Sequence, residues 1–364
     1  MTSKWDLERI AAAFAEAALN ANRWTFALQV AGEAVGARGA ALLGLNGPLP
    51  QPFNSPSLHE ATDAYIKEGW AERDERYRAG PLIARQGIAT DLDFISPELM
   101  ARNPYYQEFL ARFDLRWFAG LRIASGGELW CLRINRGPAE GPFSHEQLAQ
   151  LGALSSQLSS SAVVARALGF AQAEAVEQSF DTSGQAVALI GWQGEVIRTN
   201  RTAERYLAQG LVQLRQNRLT GTHRDDTAAL DRALHGLVRG AHALASPVVL
   251  RRDGARPLIA HGARLACFSR NPFAACRAIV VLTDPEQRGR ISAVHLRKLF
   301  RLTPSEARLA ALLASGDSLE TLAAQLGVRR ETTRSLLKSV FLKTGTNRQA
   351  ELVALLLRLG LPSE

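Results

Sequence analysis

The chain predicts a multidomain protein, two α+β domains followed by an all-α domain of four helices, and three observations carry that reading. Its 364 residues exceed what one core fills, since single cores stop growing near roughly 250 residues. Two regions, before residue 143 and between 181 and 285, carry short β-patterned runs separated by turns and mixed with helical periodicity. From residue 290 the pattern is helical throughout, with start and stop residues in place. The expected divisions are 1–143, a linker helix over 144–180, 181–285, and 290–364.

In the first region, helices are expected from about Asp6 to Leu19 and from Arg23 to Gly36, followed by the apolar strand "GAALLGLNG". "PYYQEFLARF" reads as a helix leading into a hairpin of "DLRWFAGLRI" and "ELWCLRIN", turning at Gly126-Gly127. Two-residue alternation puts Trp117 and Leu121 on one face of that hairpin and Phe118 and Arg122 on the other. Aromatics are core by default, but a Tyr- and Phe-bearing helix beside a sheet is also a way to wall an apolar pocket. The candidate ligand-binding residues are Trp70, Tyr77, Tyr105, Tyr106, Phe109, Trp117, Phe118, Arg122 and Trp130, with Arg122 available to a ligand carboxylate.

Ser144 and Gln147 form a capping-box pair that opens the long linker helix, whose apolar stripe reads Leu148, Leu151, Leu154, Leu158, Val163 and Leu168. Its Ala- and Ser-rich surface suits close packing in a homodimer. Beyond it come a strand from Ala186 to Trp192, a Gln193-Gly194 turn and a second strand ending near Asn200. "RTAERYLAQG" and "RDDTAALDRALHGLVRG" are helical, and "SPVVLRRDG", "PLIAHGARLA" and "AIVVLTD" are three further strands. Two strands, a helical connector and three strands resemble the PAS fold. No cysteine is placed for flavin attachment and no haem ligand stands out, so no cofactor is expected.

The terminal region is the most legible. Thr303 caps a helix with Pro304 at its first position and Glu306 at the capping-box position; Leu309, Leu312 and Leu313 follow at helical spacing until Gly316. Ser318 caps a second helix, Leu319 to Leu326, closed by Gly327; a third runs from about Arg330 to Gly345, and a fourth from about Arg348 to Leu359. Two short helices joined by "LGVRRE" make a helix-turn-helix. On the third helix Thr333, Leu337, Val340 and Phe341 share an inward face, while Arg334, Ser335 and Lys338 share the opposite one.

This segment resembles the DNA-binding domain of the LuxR family of transcription regulators. The resemblance rests on Leu302, Thr303, Pro304, Glu306 and Gly316, on Ala323, Leu326, Gly327 and Val328, on Thr332, Arg334, Lys338, Val340, Lys343 and Gly345, and on Arg348, Glu351 and Leu352. It implies that Arg334, Ser335 and Lys338 approach base edges while Arg330, Thr332 and Lys343 hold phosphates. Two residues depart from the family pattern: Leu336 replaces a polar residue, and Thr333 replaces a core aliphatic, a change expected to loosen packing by roughly 1 kcal/mol. The first region is similar to the GAF-like or autoinducer-binding-like sensor domains that precede such domains.

Charge distribution agrees with that resemblance. Of a net +8, residues 290–364 hold twelve basic and six acidic groups, a balance of +6, and Lys/Arg excess is the footprint of a polyanion partner. Cys131, Cys267 and Cys276 lack metal or redox spacing and read as small buried hydrophobes. No hydrolase elbow, phosphate loop, zinc-protease or dinucleotide pattern occurs, so no enzyme is expected. The expectation is therefore a cytoplasmic, homodimeric, ligand-responsive regulator whose partners are double-stranded DNA, a small apolar or aromatic effector and RNA polymerase, with no membrane. The alternative is a protein-interaction module whose helix-turn-helix no longer reads DNA.

Overall fold

The computed structural model describes residues 5–45, 53–239, 243–265, 268, 270–286, 293–314 and 318–358. Asp6 caps helix α1 (Leu7–Leu19) by accepting the Arg9 backbone N–H at 3.0 Å, and α2 (Trp24–Glu33) follows. Next come β1 (Gly39–Gly44), β2 (Phe53–Asn54), α3 (His59–Lys67), α4 (Ala79–Gln86), β3 (Ile88–Thr90) and α5 (Pro97–Met100). The expected hairpin is present as β4 (Trp117–Ser125) and β5 (Glu128–Arg136), paired from Trp117↔Arg136 to Ser125↔Glu128. These strands form an antiparallel sheet in the order β2-β1-β5-β4-β3.

"PYYQEFLARF" departs from the expected regular helix. It is a π turn at Tyr105–Phe109 followed by a 3₁₀ turn at Leu110–Phe113. The wider turn seats Tyr105, Tyr106 and Phe109 together in the core, which hydrophobic spacing alone does not distinguish from an α-helix.

Helix α6 (His145–Thr182) is opened by the expected capping box of Ser144 and Gln147. After it run β6 (Ala186–Gly191), β7 (Val196–Thr199), α7 (Arg201–Ala208), β8 (Gln213–Arg215), β9 (Arg218–Thr220), α8 (Arg224–Arg239), β10 (Val248–Arg252), β11 (Ala255–Arg264) and β12 (Cys276–Thr283). The second large sheet has the order β10-β11-β12-β6-β7, also antiparallel. Numbered within its own region, each five-stranded sheet reads 2-1-5-4-3, so one topology occurs twice. The small β8-β9 hairpin is not foreseen by the sequence, because its turn places Gln216 and Asn217 at positive φ where Gly is the usual signal.

The terminal region holds α9 (Ala293–Phe300), α10 (Pro304–Ala314), α11 (Leu319–Leu326), α12 (Arg330–Thr344) and α13 (Gln349–Arg358). Four of these were expected. The fifth, α9, adds Leu296 to a core with Leu309, Leu313, Leu337 and Leu356. It escapes a periodicity reading because its Val294 and Leu299 are exposed. Gly316, the expected stop of the first terminal helix, lies outside the described residues.

Helices α1, α2 and α6 cover one face of the first sheet, burying Leu28, Leu42, Leu121, Leu132, Leu154 and Leu158 in one cluster. The α6 stripe is not the expected one beyond Leu158. Val163 is 50% and Leu168 38% exposed, while Ala162, Ala165, Gly169 and Ala173 are buried instead. At Ala165 and Gly169 the reason is space: the loop before β12 presses on the helix there. A Cβ on Gly169 would lie 3.2 Å from the Ala274 Cβ, and Asn271 donates from Nδ2 to the Ala165 carbonyl at 2.8 Å.

The same loop inserts Phe273, 1% exposed, into the core of the first sheet between Trp24 and Trp130. The two β regions therefore share packed apolar surface. Among the described residues no helix is long and apolar enough to cross a membrane, and no group of three or more His, Cys, Asp or Glu is placed to hold a metal. Cys131 and Cys276 are buried, burial pushing the Cys131 thiol up to about 12, and Cys267 lies outside the described residues.

Candidate functional site

The face of the first sheet opposite α1, α2 and α6 is roofed by α3, α4 and the turns between α3 and β4, leaving a cavity of about 620 Å³ that opens to solvent. That volume is typical of small-molecule sites. Strand alternation decides what reaches it. On β5, Cys131, Arg133 and Asn135 line the cavity, while Trp130, Leu132 and Ile134 turn to the helix-covered side. The apolar walls come from Leu43, Leu58, Ile83, Phe109 and Phe118.

Of the nine residues singled out from sequence, Tyr77, Tyr105, Phe109 and Phe118 line this cavity. Five are placed elsewhere. Trp70 stands behind Phe109, ring centroids 5.4 Å apart, with its indole N–H on Glu68 at 2.9 Å. Tyr106 donates its hydroxyl to Asp91 at 2.6 Å. Trp117 packs beside the aromatic cluster of the roof. Trp130 is across the sheet, against Phe273 at 4.9 Å. Arg122 donates to the Ala84 carbonyl at 2.7 Å, closing the end of α4, so it is not the cavity's cation.

The polar residues at the cavity wall are ones that sequence reasoning missed. Asp74 accepts the Tyr65 hydroxyl at 2.9 Å on Oδ2 and the Arg76 backbone N–H at 2.8 Å on Oδ1. Arg76, its side chain 2% exposed, spends every nitrogen: Nε on Asp91 at 3.0 Å, Nη1 on Asn135 at 3.1 Å and Nη2 on the Arg116 carbonyl at 2.9 Å. Burial alone would lower its guanidinium, but Asp91 and then the neighbouring tyrosines and Asp74 hold it above its ordinary value. Burial raises the Tyr65 and Tyr105 hydroxyls, with Asp74 adding to the effect, so both stay neutral donors.

Arg133 is different. Its side chain is 19% exposed, its one described partner is the Asp74 carboxylate at 3.6 Å, and its Nε is buried with no hydrogen bond. The sequence signal existed but pointed the wrong way, since "CLRIN" alternates apolar and polar as a strand with one face in water does. Here both faces are covered.

The second candidate surface is α12. Ser318 caps α11, accepting the Thr321 N–H at 3.2 Å, and Gly327 at φ 66° ends it, which sets the entry to α12; Gly345 at φ 66° ends α12. Thr333, Leu337 and Val340 are buried. The Thr333 hydroxyl is satisfied within the helix, on the Arg329 carbonyl at 3.4 Å. Thr332, Arg334, Ser335 and Lys338 are exposed. No described residue pairs with the Arg334 or Lys338 charge. Arg330 is exposed and meets Glu320 at 3.0 Å.

Lys343 is not free in the same way: its ammonium donates to Glu306 Oε2 at 2.6 Å. Glu306 also accepts the Ser339 hydroxyl at 2.6 Å and the Thr303 N–H at 2.7 Å. Burial would raise this carboxyl, but those bonds, that of Lys343 foremost, hold it at about 2.

No protein-family model matches the chain, and no curated protein does. Solved structures with some likeness include the ligand-binding domain of VqsR from Pseudomonas aeruginosa, at 18% identity over 42% of this chain and 92% of that one, TM-score 0.33. A phage VqmA in complex with DPO is 16% identical over 54% and 93%, TM-score 0.24. Vibrio cholerae VqmA in complex with ligand and DNA is 14% identical over 51% and 87%, TM-score 0.23. VqmA is described as a LuxR-type receptor. Scores this low decide neither the fold nor the activity of the present chain.

Proposed function

We propose that the chain is a ligand-responsive, DNA-binding transcription regulator of LuxR type, acting as a homodimer. The observation that carries this reading is the solvent face of α12. Arg334 and Lys338 stand unpaired among the described residues, one turn apart on a helix whose other side is buried. A helix held this way offers Arg for guanine edges and Lys for a guanine or a phosphate. Arg330 and Thr332 lie at its start for backbone contacts, and Lys343 serves by fixing α12 on α10 through Glu306.

The 620 Å³ cavity supports an effector site in the first domain, with an apolar body against Phe109 and Phe118 and a polar end near Asp74. We read both five-stranded domains as GAF- or PAS-like, a reading supported by their shared strand order. In the second, the matching face is filled by Tyr206, Leu230, Leu234 and Leu237, so its role is positioning and coupling. Exposed Val163, Val164 and Phe170 on α6 are the surface for a second copy, and RNA polymerase is the further partner. The chemistry is binding rather than reaction.

Fluorescence anisotropy of the full chain on duplex DNA from its own upstream region tests the reading. A specific site should show two half-sites about one helical turn apart, and Arg334→Ala should cost about 1–3 kcal/mol there while flattening base preference. Wild-type affinity no better for any upstream segment than for random duplex would sink it.

A further inference from the structure

Building on the effector reading above, we infer that Arg133 is the residue that reads the polar end of the effector, and that this end is a neutral carbonyl-type oxygen. The two arginines of the cavity make the case by contrast. Arg76 is structural, because Nε, Nη1 and Nη2 each donate to the protein. Arg133 lines the same cavity, is four-fifths buried, and makes no hydrogen bond to a described residue. A guanidinium carries five donors. One of them, on Nε, is buried with no hydrogen bond, a costly state that natural proteins keep where a ligand or water completes the set.

Asp74 does not complete it. Its oxygens accept from Tyr65 and the Arg76 backbone, and at 3.6 Å its Oδ2 is too far from Arg133 Nη1 for a hydrogen bond. The donors of Arg133 are therefore left for whatever enters the cavity. Charge then decides the class of that molecule. Arg76 is matched by Asp91 and Arg133 by Asp74. A ligand carboxylate drawn to Arg133 would sit beside Asp74, and two carboxylates sharing a buried site cannot both ionise without strong repulsion. A carbonyl supplies lone pairs to the guanidinium without that repulsion, while Leu43, Ile83, Phe109 and Phe118 take the apolar remainder.

Matched probe sets test this on the full chain: butylbenzene, 4-phenylbutan-2-one and 4-phenylbutanoate; and cyclohexylbenzene, 4-phenylcyclohexanone and 4-phenylcyclohexanecarboxylate. Binding is read by calorimetry and by thermal shift. At least one ketone should bind about tenfold more tightly than its acid and its hydrocarbon. That ketone should lose about tenfold in Arg133→Met and less in Arg133→Lys, while the hydrocarbon is unaffected. Should Arg133→Met fail to fold, the Arg133→Lys comparison between ketone and hydrocarbon carries the same information. An acid that binds more tightly than its ketone, a ketone indifferent to both substitutions, or no ketone binding at all would overturn the inference. The regulator reading fails separately, on DNA binding. Ketones that bind independently of Arg133 and still alter DNA affinity would leave that reading standing and remove only this one.

Discussion

One carboxylate, Glu306, ties the start of α10 to the last turns of α12, through the Thr303 N–H, the Ser339 hydroxyl and the Lys343 ammonium. Its folded-state value of about 2 lies below the roughly 4.3 of an unfolded Glu. Its stabilisation is therefore complete above about pH 5 and is lost as pH falls toward about 2. Acid titration of residues 290–364 within the full chain, followed by helix ellipticity, should show this loss, and Glu306→Gln should flatten it. Lys343→Met should destabilise the terminal domain by about 1–3 kcal/mol, because it leaves a buried carboxylate short of a charged partner. If Lys343→Met instead lowered DNA affinity alone with stability unchanged, the lysine would be a phosphate contact after all. Arg76 gives a second residue-level contrast: Arg76→Met abandons the buried Asp91 and should cost about 3–5 kcal/mol in urea unfolding, far more than any change at exposed Arg330.

At the scale of the element, α6 was legible in its start and illegible in its buried face. Ser144 and Gln147 announce the helix through local chemistry that needs no tertiary context. Beyond Leu158 the stripe expected from large apolar residues gives way to Ala162, Ala165, Gly169 and Ala173, and at Gly169 the loop carrying Asn271 and Ala274 approaches too closely for a larger side chain. Gly169→Leu should therefore push that loop away and cost about 1–3 kcal/mol of overpacking. Differential scanning calorimetry would measure it; a neutral Gly169→Leu would mean that the loop yields freely. Strand β5 teaches the same lesson. Its residues alternate apolar and polar, but only the roof over the sheet makes Arg133 and Asn135 the wall of a cavity rather than a solvent face.

For the whole molecule, the consequential feature is the insertion of Phe273 between Trp24 and Trp130. It makes the two β regions one packed unit, so residues 1–180 cut from the chain would expose those tryptophans. Phe273→Ala should cost about 3–5 kcal/mol and split a single calorimetric transition of the two regions into two. One unsplit transition in the variant would show that other contacts, such as Asn271 to Ala165, suffice to couple them.

By itself, the sequence determined the hairpin from Trp117 to Arg136, the long helix and the capped terminal helices with their outward Arg334 and Lys338, though not the π turn at Tyr105–Phe109, the β8-β9 hairpin or α9. Each of these rests on caps, turns and periodicities that act within a few residues. Which aromatics enclose space was decided only in three dimensions. Tyr105, Phe109 and Phe118 meet around the cavity while Trp70, Tyr106, Trp117 and Trp130 do not, since a side chain's environment depends on what covers its face of the sheet. The same holds for charge. Arg122, Arg76, Arg133 and Lys343 are all basic residues in the sequence, and their partners, supplied by distant segments, leave Arg133 alone among the four without a hydrogen bond to a described residue.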